Sequence, residues 1–131
     1  MRNVTDHIVE GDSVNHQLKI TVLDEPGAGG ANHQYHIELP ANGDAPEGAT
    51  SLSGITFIGF QNGPIKEVGV NGVTHESLLA VLIDRMRSFQ AGPYSCRENA
   101  IALTHLEDAL SWLQKRTVAR IKRGVEGTHE K

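Results

Sequence analysis

Aromatic residues are scarce in this sequence: Phe, Tyr and Trp together make up 5% of its 131 residues, and all hydrophobic types make up 38%. A chain of this length usually folds as one domain around one core. Because few large apolar side chains are available, we expect a modest core that self-association completes. The sequence therefore predicts a single domain over residues 1–131 and a homo-oligomer.

Cysteine is almost absent, since Cys96 is the only one. A disulfide within the chain and zinc motifs built on paired cysteines are therefore excluded. The seven histidines are scattered and form no H-E-x-x-H pair, so we predict neither a metal ion nor another cofactor. The sequence also lacks a G-x-S-x-G motif, and Cys96 has only His75 or His105 as a conceivable base. We therefore expect a protein that is not an enzyme, with a small hydrolase or lyase as the alternative.

Long apolar runs are missing as well. None approaches the ~18–20 residues that span a bilayer, and the N-terminal stretch MRNVTDHIVEGD lacks the apolar core of a signal peptide. A single unpaired cysteine suits a reducing compartment. We therefore expect the protein in the cytoplasm, without contact to a membrane.

Basic residues do not dominate, and a net charge of −4 argues against a dedicated binder of long nucleic acid. The charge is nevertheless uneven along the chain. Residues 1–73 carry three basic and nine acidic groups, whereas residues 74–131 carry nine basic and seven acidic groups. The second half is therefore the part expected to bind an anionic ligand.

The first half of the chain has the period of two that is typical of half-buried strands. The predicted strands are residues 4–9, 16–23, 33–39, 55–60 and 65–70. The last two flank Asn62-Gly63, which favours a hairpin because both residues tolerate a positive φ. Segments rich in Gly and Pro, residues 25–31 and 41–53, are predicted as loops. Short connections of this kind favour an antiparallel sheet.

The second half has the period of a helix. Thr74 is a suitable N-cap for HESLLAVLIDRMRSFQ, whose apolar residues form one stripe, and Gly92-Pro93 ends that helix. Ser95 and Glu98 have the spacing of a capping box, which predicts the start of a second helix. That helix is expected to run for ~28 residues to Gly124, a residue type that commonly follows a helix end.

Together these patterns predict an α+β fold, in which an N-terminal antiparallel β-sheet is followed by a C-terminal αα-hairpin with a long second helix. The parts are a sheet portion at residues 1–72, the helical hairpin at residues 73–124 and a C-terminal tail at residues 125–131. The second helix is longer than a small sheet needs as cover. Part of its apolar surface, including Trp112, is therefore expected to pack against another subunit.

Five basic side chains lie within nine positions near the predicted end of the second helix, between Lys115 and Arg123. Arg116 and Arg120 have the i, i+4 spacing, so they project from one face and can fork around a diphosphate. Cations at a helix C-terminus also complement the helix dipole, which is an alternative explanation of the same residues. A docking surface for nucleic acid or for an acidic protein is a further alternative.

Phe89 and Asn99 lie on the two sides of the link between the predicted helices. An aromatic ring can stack on a base, and an amide can hydrogen-bond the edge of a base. The alternatives are that Phe89 is the last core residue of its stripe and that Asn99 is a solvated helix position. Arg116 and Arg120 lie ~26–31 Å farther along the second helix. One ligand could therefore touch all four residues only across a subunit interface.

Several motifs carry a resemblance to a known family: GVNGVTHE, SCRENA with LEDALSWL, and RTVARIKRGVEGT. Over residues 55–131 the chain resembles the phage-encoded Thoeris anti-defence protein 1 family. Its segment CRENAIALTHLEDALSWL is similar to the helical hairpin of anti-CBASS protein 2. Residues 1–54 contribute little to the likeness beyond the strand at residues 33–39.

The resemblance implies a sponge, a protein that sequesters nucleotide immune signals without cleaving them, so that effectors in the infected bacterium are not activated. It implies a homohexamer that binds glycocyclic ADP-ribose made by TIR enzymes and, in some members, cyclic di- or trinucleotides in separate pockets. Phe89 would stack on the adenine, Asn99 would contact the ligand, and Arg116 with Arg120 would grip the diphosphate. The candidates for a second, cyclic-oligonucleotide pocket are Arg97, Arg123, Gly124 and Thr128.

Overall fold

A computed structural model describes residues 1–40, 54–128 and 130 of the chain. An antiparallel sheet precedes a pair of long helices, so the fold is α+β, as the sequence predicts. The chain forms two compact units, Met1–Asn62 and Gly63–Lys131. The sheet lies in the first unit, and the α-helices of the described residues lie in the second.

The sheet of the first unit has its strands side by side in chain order, and each strand is antiparallel to its neighbours. Its strands within the described residues are β1 (Arg2–Val4), β2 (Lys19–Val22), β3 (Gln34–Leu39) and β4 (Gly54–Gly59). The strands predicted at residues 33–39 and 55–60 are therefore confirmed to within one residue. The strand predicted at residues 16–23 exists but is shorter, because Asn15–Gln17 form a 3-10 turn before it. The predicted edge strand is shorter and begins earlier than expected. Val22, opposite Tyr35, is only 1% exposed, and Thr21, which points to the other face of β2, is 8% exposed. Both faces of β2 are therefore covered at this point.

The connection between β2 and β3 is held closed by Asp24. Its carboxylate accepts hydrogen bonds from the backbone N–H of His33, at 3.0 and 3.1 Å, and from that of Gln34, at 3.1 Å. Partial desolvation raises the pKa of Asp24, but these backbone donors outweigh it and hold the pKa below its usual value. The resulting stabilisation is present above the unfolded pKa, about 4, and is lost as the pH falls through the folded pKa. The other predicted loop, residues 41–53, lies outside the described residues.

The predicted hairpin around Asn62-Gly63 is wrong, because residues 65–70 do not form a strand. They contain α1 (Ile65–Val68), a single helical turn that starts after Pro64 and ends at Gly69. Pro64 has no N–H for a strand ladder, and its φ of −69° suits the start of a helical turn. Gly69 has a φ of 73°, which ends the turn. The conformational restriction of Pro64 therefore outweighs the Asn-Gly turn signal.

The first long helix, α2 (His75–Ala91), begins where the sequence predicts. Thr74 Oγ1 accepts a hydrogen bond from the backbone N–H of Ser77 at 3.1 Å, and Ser77 Oγ accepts one from the N–H of Thr74 at 3.0 Å. These reciprocal bonds form a capping box, which satisfies backbone donors that a helix start leaves free. Thr74 is therefore confirmed as the N-cap.

The second long helix, α3 (Arg97–Lys122), has 26 residues and begins after Cys96. The predicted capping box of Ser95 and Glu98 is wrong, because Cys96 is the N-cap and no side chain of the helix start caps it. Gln90 of α2 takes that role instead: its Oε1 accepts from the backbone N–H of Cys96 at 3.2 Å, and its Nε2 donates to the Cys96 carbonyl at 3.3 Å. Hydrogen bonds from Gln90 across the link thus replace the expected capping box of Ser95 and Glu98.

The end of α3 is a Schellman motif. The backbone N–H of Val125 donates to the carbonyl of Arg120 at 3.0 Å, and the N–H of Gly124 donates to the carbonyl of Ile121 at 3.0 Å. Gly124 has the positive φ, 74°, that this motif requires. The expected position of Gly124 just beyond the helix end is therefore confirmed.

Few apolar side chains of the second unit are buried. Among its described residues, Ile83 and Val125 are buried, whereas large apolar side chains remain exposed on both long helices: Val81, Leu82, Phe89, Ile101, Trp112, Val118 and Ile121. The core of this unit is therefore modest, as the scarcity of aromatic residues predicts. Within the described part of the chain, no helix has the length and apolar character needed to cross a membrane.

We predict that Gly124→Ala lowers the free energy of unfolding by about 1 kcal/mol, because a β-carbon disfavours the left-handed conformation that ends α3. Urea unfolding followed by circular dichroism measures the change. Gly92→Ala is the control, since Gly92 has a φ of −106° and an added β-carbon would come no closer than 3.4 Å to a surrounding atom. Equal stability of the Gly124→Ala variant and the unsubstituted chain would contradict the role given to Gly124.

Candidate functional site

The link between α2 and α3 holds two of the candidate residues at one end of the hairpin. Phe89 lies in the last turn of α2, and Asn99 lies in the first turn of α3. Gln90, which follows Phe89, makes two hydrogen bonds to the backbone of Cys96. One side chain therefore fixes the end of α2 relative to the start of α3, and with it the positions of Phe89 and Asn99.

Phe89 is 37% exposed, and the guanidinium of Arg85 covers its ring. The distance from Arg85 Cζ to the ring centroid is 4.9 Å, which makes this a cation–π contact. The i, i+4 spacing on α2 brings the two side chains together. Such exposure disagrees with the alternative that Phe89 is a sealed core residue, and it leaves aromatic surface on which a planar base can stack.

Asn99 and Arg97 occupy the start of α3. Asn99 is half-buried, and Arg97 is exposed. Neither side chain has a hydrogen bond or an ion pair with another of the residues that the structure describes. Their polar groups are therefore available to a ligand or to another copy of the chain.

The two arginines predicted near the other end of α3 differ in their exposure to solvent. Arg116 is exposed and has no ion-pair partner within the described ranges. Arg120 is only 8% exposed. Lys115, which neighbours Arg116, makes a cation–π contact, because its Nζ lies 4.2 Å from the centroid of the Trp112 ring. The basic segment thus offers Arg116 to solvent while it uses Arg120 inside the fold.

Arg120 holds the C-terminal tail against α3. Its Nη2 donates to the carbonyls of Val125 and Thr128, each at 2.9 Å, and its Nη1 donates to the carbonyl of Glu130. Hydrogen bonds from a charged donor are stronger than those between neutral groups. The tail is also tied to α1, because the backbone N–H of Lys66 donates to the carbonyl of Gly127 at 3.1 Å. Arg120 therefore has a structural role, whatever else it binds.

The helix dipole explains only some of these cations. The basic residues in the last turn of α3 are Arg120 and Lys122. Arg116 lies more than one turn before the helix end, where the dipole has little effect. The helix dipole therefore does not explain why a cation stands at position 116.

The residues predicted for a second pocket lie at both ends of α3. Arg123 and Gly124 are exposed at its C-terminal end, next to the tail that contains Thr128. Thr128 Oγ1 accepts a hydrogen bond from the backbone N–H of Glu130 at 3.3 Å. Arg97 is the first residue of α3, ~39 Å away along its axis. Within one chain Arg97 is therefore not brought together with the other three.

Distance along α3 also separates the residues predicted to bind the first ligand. Asn99 and Arg116 both lie on α3, ~26 Å apart along its axis. One chain therefore carries two candidate half-sites, an aromatic one with Phe89 and Asn99 and a cationic one with Arg116 and Arg120. A single nucleotide cannot reach both half-sites of one chain.

Two residues of this region were missed by the sequence analysis, Arg85 and Gln90. The four-residue spacing between Arg85 and Phe89 is visible in the sequence and could have indicated their contact. The bonds from Gln90 to Cys96 depend on how the link folds, and no spacing rule indicates them. Across the described residues, no group of three or more His, Cys, Asp or Glu side chains is placed to hold a metal ion.

Comparison with known proteins identifies the hairpin. Residues 54–118 match the family model described as Acb2/Tad1, hairpin domain. The matched segment begins at β4 and includes Phe89, Asn99 and Arg116, but it ends before Arg120 and the tail.

A protein of Bacillus phage SBSphiJ7, "Thoeris anti-defense 1", is 57% identical to this chain over 77 residues. The match covers 59% of this chain and 54% of the relative, so the chain spans about half the length of that protein. The two comparisons agree with each other and confirm the resemblance inferred from the sequence motifs. Residues 54–118 are therefore similar to an Acb2/Tad1 hairpin domain, and the chain is similar over 77 residues to a phage protein of the Thoeris anti-defence 1 type.

Proposed function

We propose that this protein is a phage anti-defence sponge that binds glycocyclic ADP-ribose, the product of TIR enzymes, in the cytoplasm of the infected bacterium. It holds the signal without cleaving it, so the effector is not activated. The name of the phage relative supports the anti-defence role. The observation that carries the binding mode is that Phe89 and Arg116 are exposed at opposite parts of the hairpin, with chemistry that suits a base and a diphosphate.

The ligand binds between copies of the chain. Phe89 and Asn99 come from one copy, and Arg116 and Arg120 come from another, because ~26 Å of helix separates the half-sites within a chain. Exposed apolar side chains on α3, among them Trp112, supply surface for association. A homohexamer, as the family resemblance implies, would contain several such composite sites.

Each residue of the composite site has a distinct role. Phe89 stacks on the adenine, a contact worth ~1–3 kcal/mol for bases on aromatic side chains. Asn99 hydrogen-bonds a polar edge of the ligand, and Arg116 binds the diphosphate with its exposed guanidinium. The carbonyls of the tail fix the orientation of the Arg120 guanidinium. Its remaining N–H groups, which are not bonded to the tail, donate to the ligand.

A second pocket would hold a cyclic di- or trinucleotide. It combines Arg123, Gly124 and Thr128 at the end of one α3 with Arg97 at the start of another. Gly124 has no side chain, so a phosphate can approach its backbone closely. Arg97 and Arg123 are both exposed and can supply the positive charge.

We predict that the bound compound leaves the protein chemically unchanged. The purified protein is exposed to the product of an activated TIR enzyme, washed and denatured by heat, and mass spectrometry compares the released compound with the input. A hydrolysed or rearranged product would identify a hydrolase or lyase instead. Binding of long DNA with a steep salt dependence, without any retained small compound, would identify a nucleic-acid-binding regulator.

We predict different effects for the two arginines. Arg116→Ala weakens binding of glycocyclic ADP-ribose without a change in thermal stability, because Arg116 is exposed and has no hydrogen bond or ion pair with another of the residues that the structure describes. Arg120→Ala weakens binding and also releases the tail, because the carbonyls of Val125 and Thr128 lose their donor. The double variant should lose several kcal/mol of binding free energy, given ~1.5–3 kcal/mol for each hydrogen bond to a charged group.

Isothermal titration calorimetry measures the affinities, and hydrogen exchange at the amides of Val125 and Thr128 reports on the tail. Lys122→Ala is the matched control, since Lys122 is an exposed cation on the same helix and its removal changes the net charge equally. Unchanged affinity in the Arg116→Ala, Arg120→Ala double variant would refute the proposed site. An equal loss in the Lys122→Ala variant would mean that only total charge matters.

A further inference from the structure

Arg85 and Arg87 lie on the same helix but use their charges differently. Arg87 Nη2 donates to Glu107 Oε2 at 2.7 Å, which joins α2 to α3 by an ion pair. Arg85 has no carboxylate partner among the described residues, and its guanidinium instead covers the ring of Phe89. Arg87 thus contributes to the packing of the hairpin. Arg85 instead contacts Phe89, a residue that is proposed to bind the ligand.

A cation over one face of an aromatic ring has two consequences for a base that stacks on the other face. The contact limits the orientations of the ring, so less side-chain entropy is lost when the base arrives. The positive charge also draws the π electrons toward the covered face. The opposite face then repels the electron-rich face of a purine less strongly, because the ring quadrupole there is weakened.

We propose that Arg85 is a positioning residue of the ligand site: its guanidinium covers one face of Phe89 and orients the ring so that the other face receives the adenine. This inference rests on the proposed function. The order of the stack is guanidinium, ring and base. Arg85 does not touch the ligand, because the ring of Phe89 lies between them.

The variant Arg85→Met removes the charge and the planar group but keeps an unbranched side chain on the helix. Calorimetric titration with glycocyclic ADP-ribose should give a Kd that is about twofold to fivefold higher, as expected for an exposed cation–π contact. Arg85→Lys should restore part of the affinity, because an ammonium also binds an aromatic face. Arg87→Met is the matched control and should leave the affinity unchanged, since Arg87 faces Glu107 rather than Phe89.

A double-mutant cycle separates an effect through the ring from a general effect of charge. In a Phe89→Leu background, Arg85→Met should cause no further loss of affinity, because the ring through which it acts is gone. Inorganic pyrophosphate, a probe without a base, should bind the Arg85→Met variant as it binds the unsubstituted protein. Additive losses in the cycle, or an equal loss for pyrophosphate, would overturn the inference.

The outcomes for the two proposals differ. If the unsubstituted protein does not bind glycocyclic ADP-ribose, the proposed function fails and this inference fails with it. If the unsubstituted protein binds and Arg85→Met binds equally well, only the role of Arg85 is refuted. Thermal unfolding of each variant shows whether a loss of affinity reflects a damaged fold.

Discussion

The backbone hydrogen bonds of α3 set the distance on which the rest of the second unit depends. They fix 26 residues at a rise of 1.5 Å each, so the two ends of the helix are ~39 Å apart. No change of side-chain conformation can shorten that distance. Gln90 orders the end that carries Phe89 and Asn99, and Arg120 orders the end that carries the tail. The hairpin therefore presents two separately organised ends, and a ligand that needs both must take them from different copies.

Arg120 shows how one guanidinium can support the fold and still keep the positive charge that the proposed site needs. A buried charge must be hydrogen-bonded, and here its acceptors are neutral backbone carbonyls rather than carboxylates. These bonds use three of the five N–H donors of Arg120 and do not cancel its charge. The Schellman turn at Gly124 makes this possible, because it reverses the chain so that the carbonyls of the tail face the helix end. The positive potential beside Arg116 is thereby retained in the fold.

The parts of this structure that could be predicted depend on few neighbouring residues. Thr74 and Gly124 were correctly placed because caps follow from local conformation and short-range hydrogen bonds. The Asn62-Gly63 hairpin is wrong because Pro64 lacks the N–H of a strand ladder and has a φ that suits the start of a helical turn. The Ser95 capping box is wrong because Gln90 reaches across the link to Cys96. The burial of Arg120 had no sequence signal at all, since its acceptors are backbone carbonyls and every residue has one. The ligand-binding roles of Phe89 and Arg116 stay predictions, for which the fold leaves both side chains exposed. Arg120 has a structural role beside its proposed one.

A site divided between copies links ligand binding to assembly. A dissociated chain has only half of each proposed site, so dilution below the assembly equilibrium should weaken binding, and ligand should in turn stabilise the oligomer by mass action. The exposed groups are also solvated in the free chain. In the proposed oligomer they would lose water only when a second copy closes the site, and the attraction between Arg116 and a diphosphate would be stronger in that drier interface. Association would therefore supply both the missing residues and the environment in which they bind tightly, which is the property that a protein acting by sequestration rather than by catalysis needs.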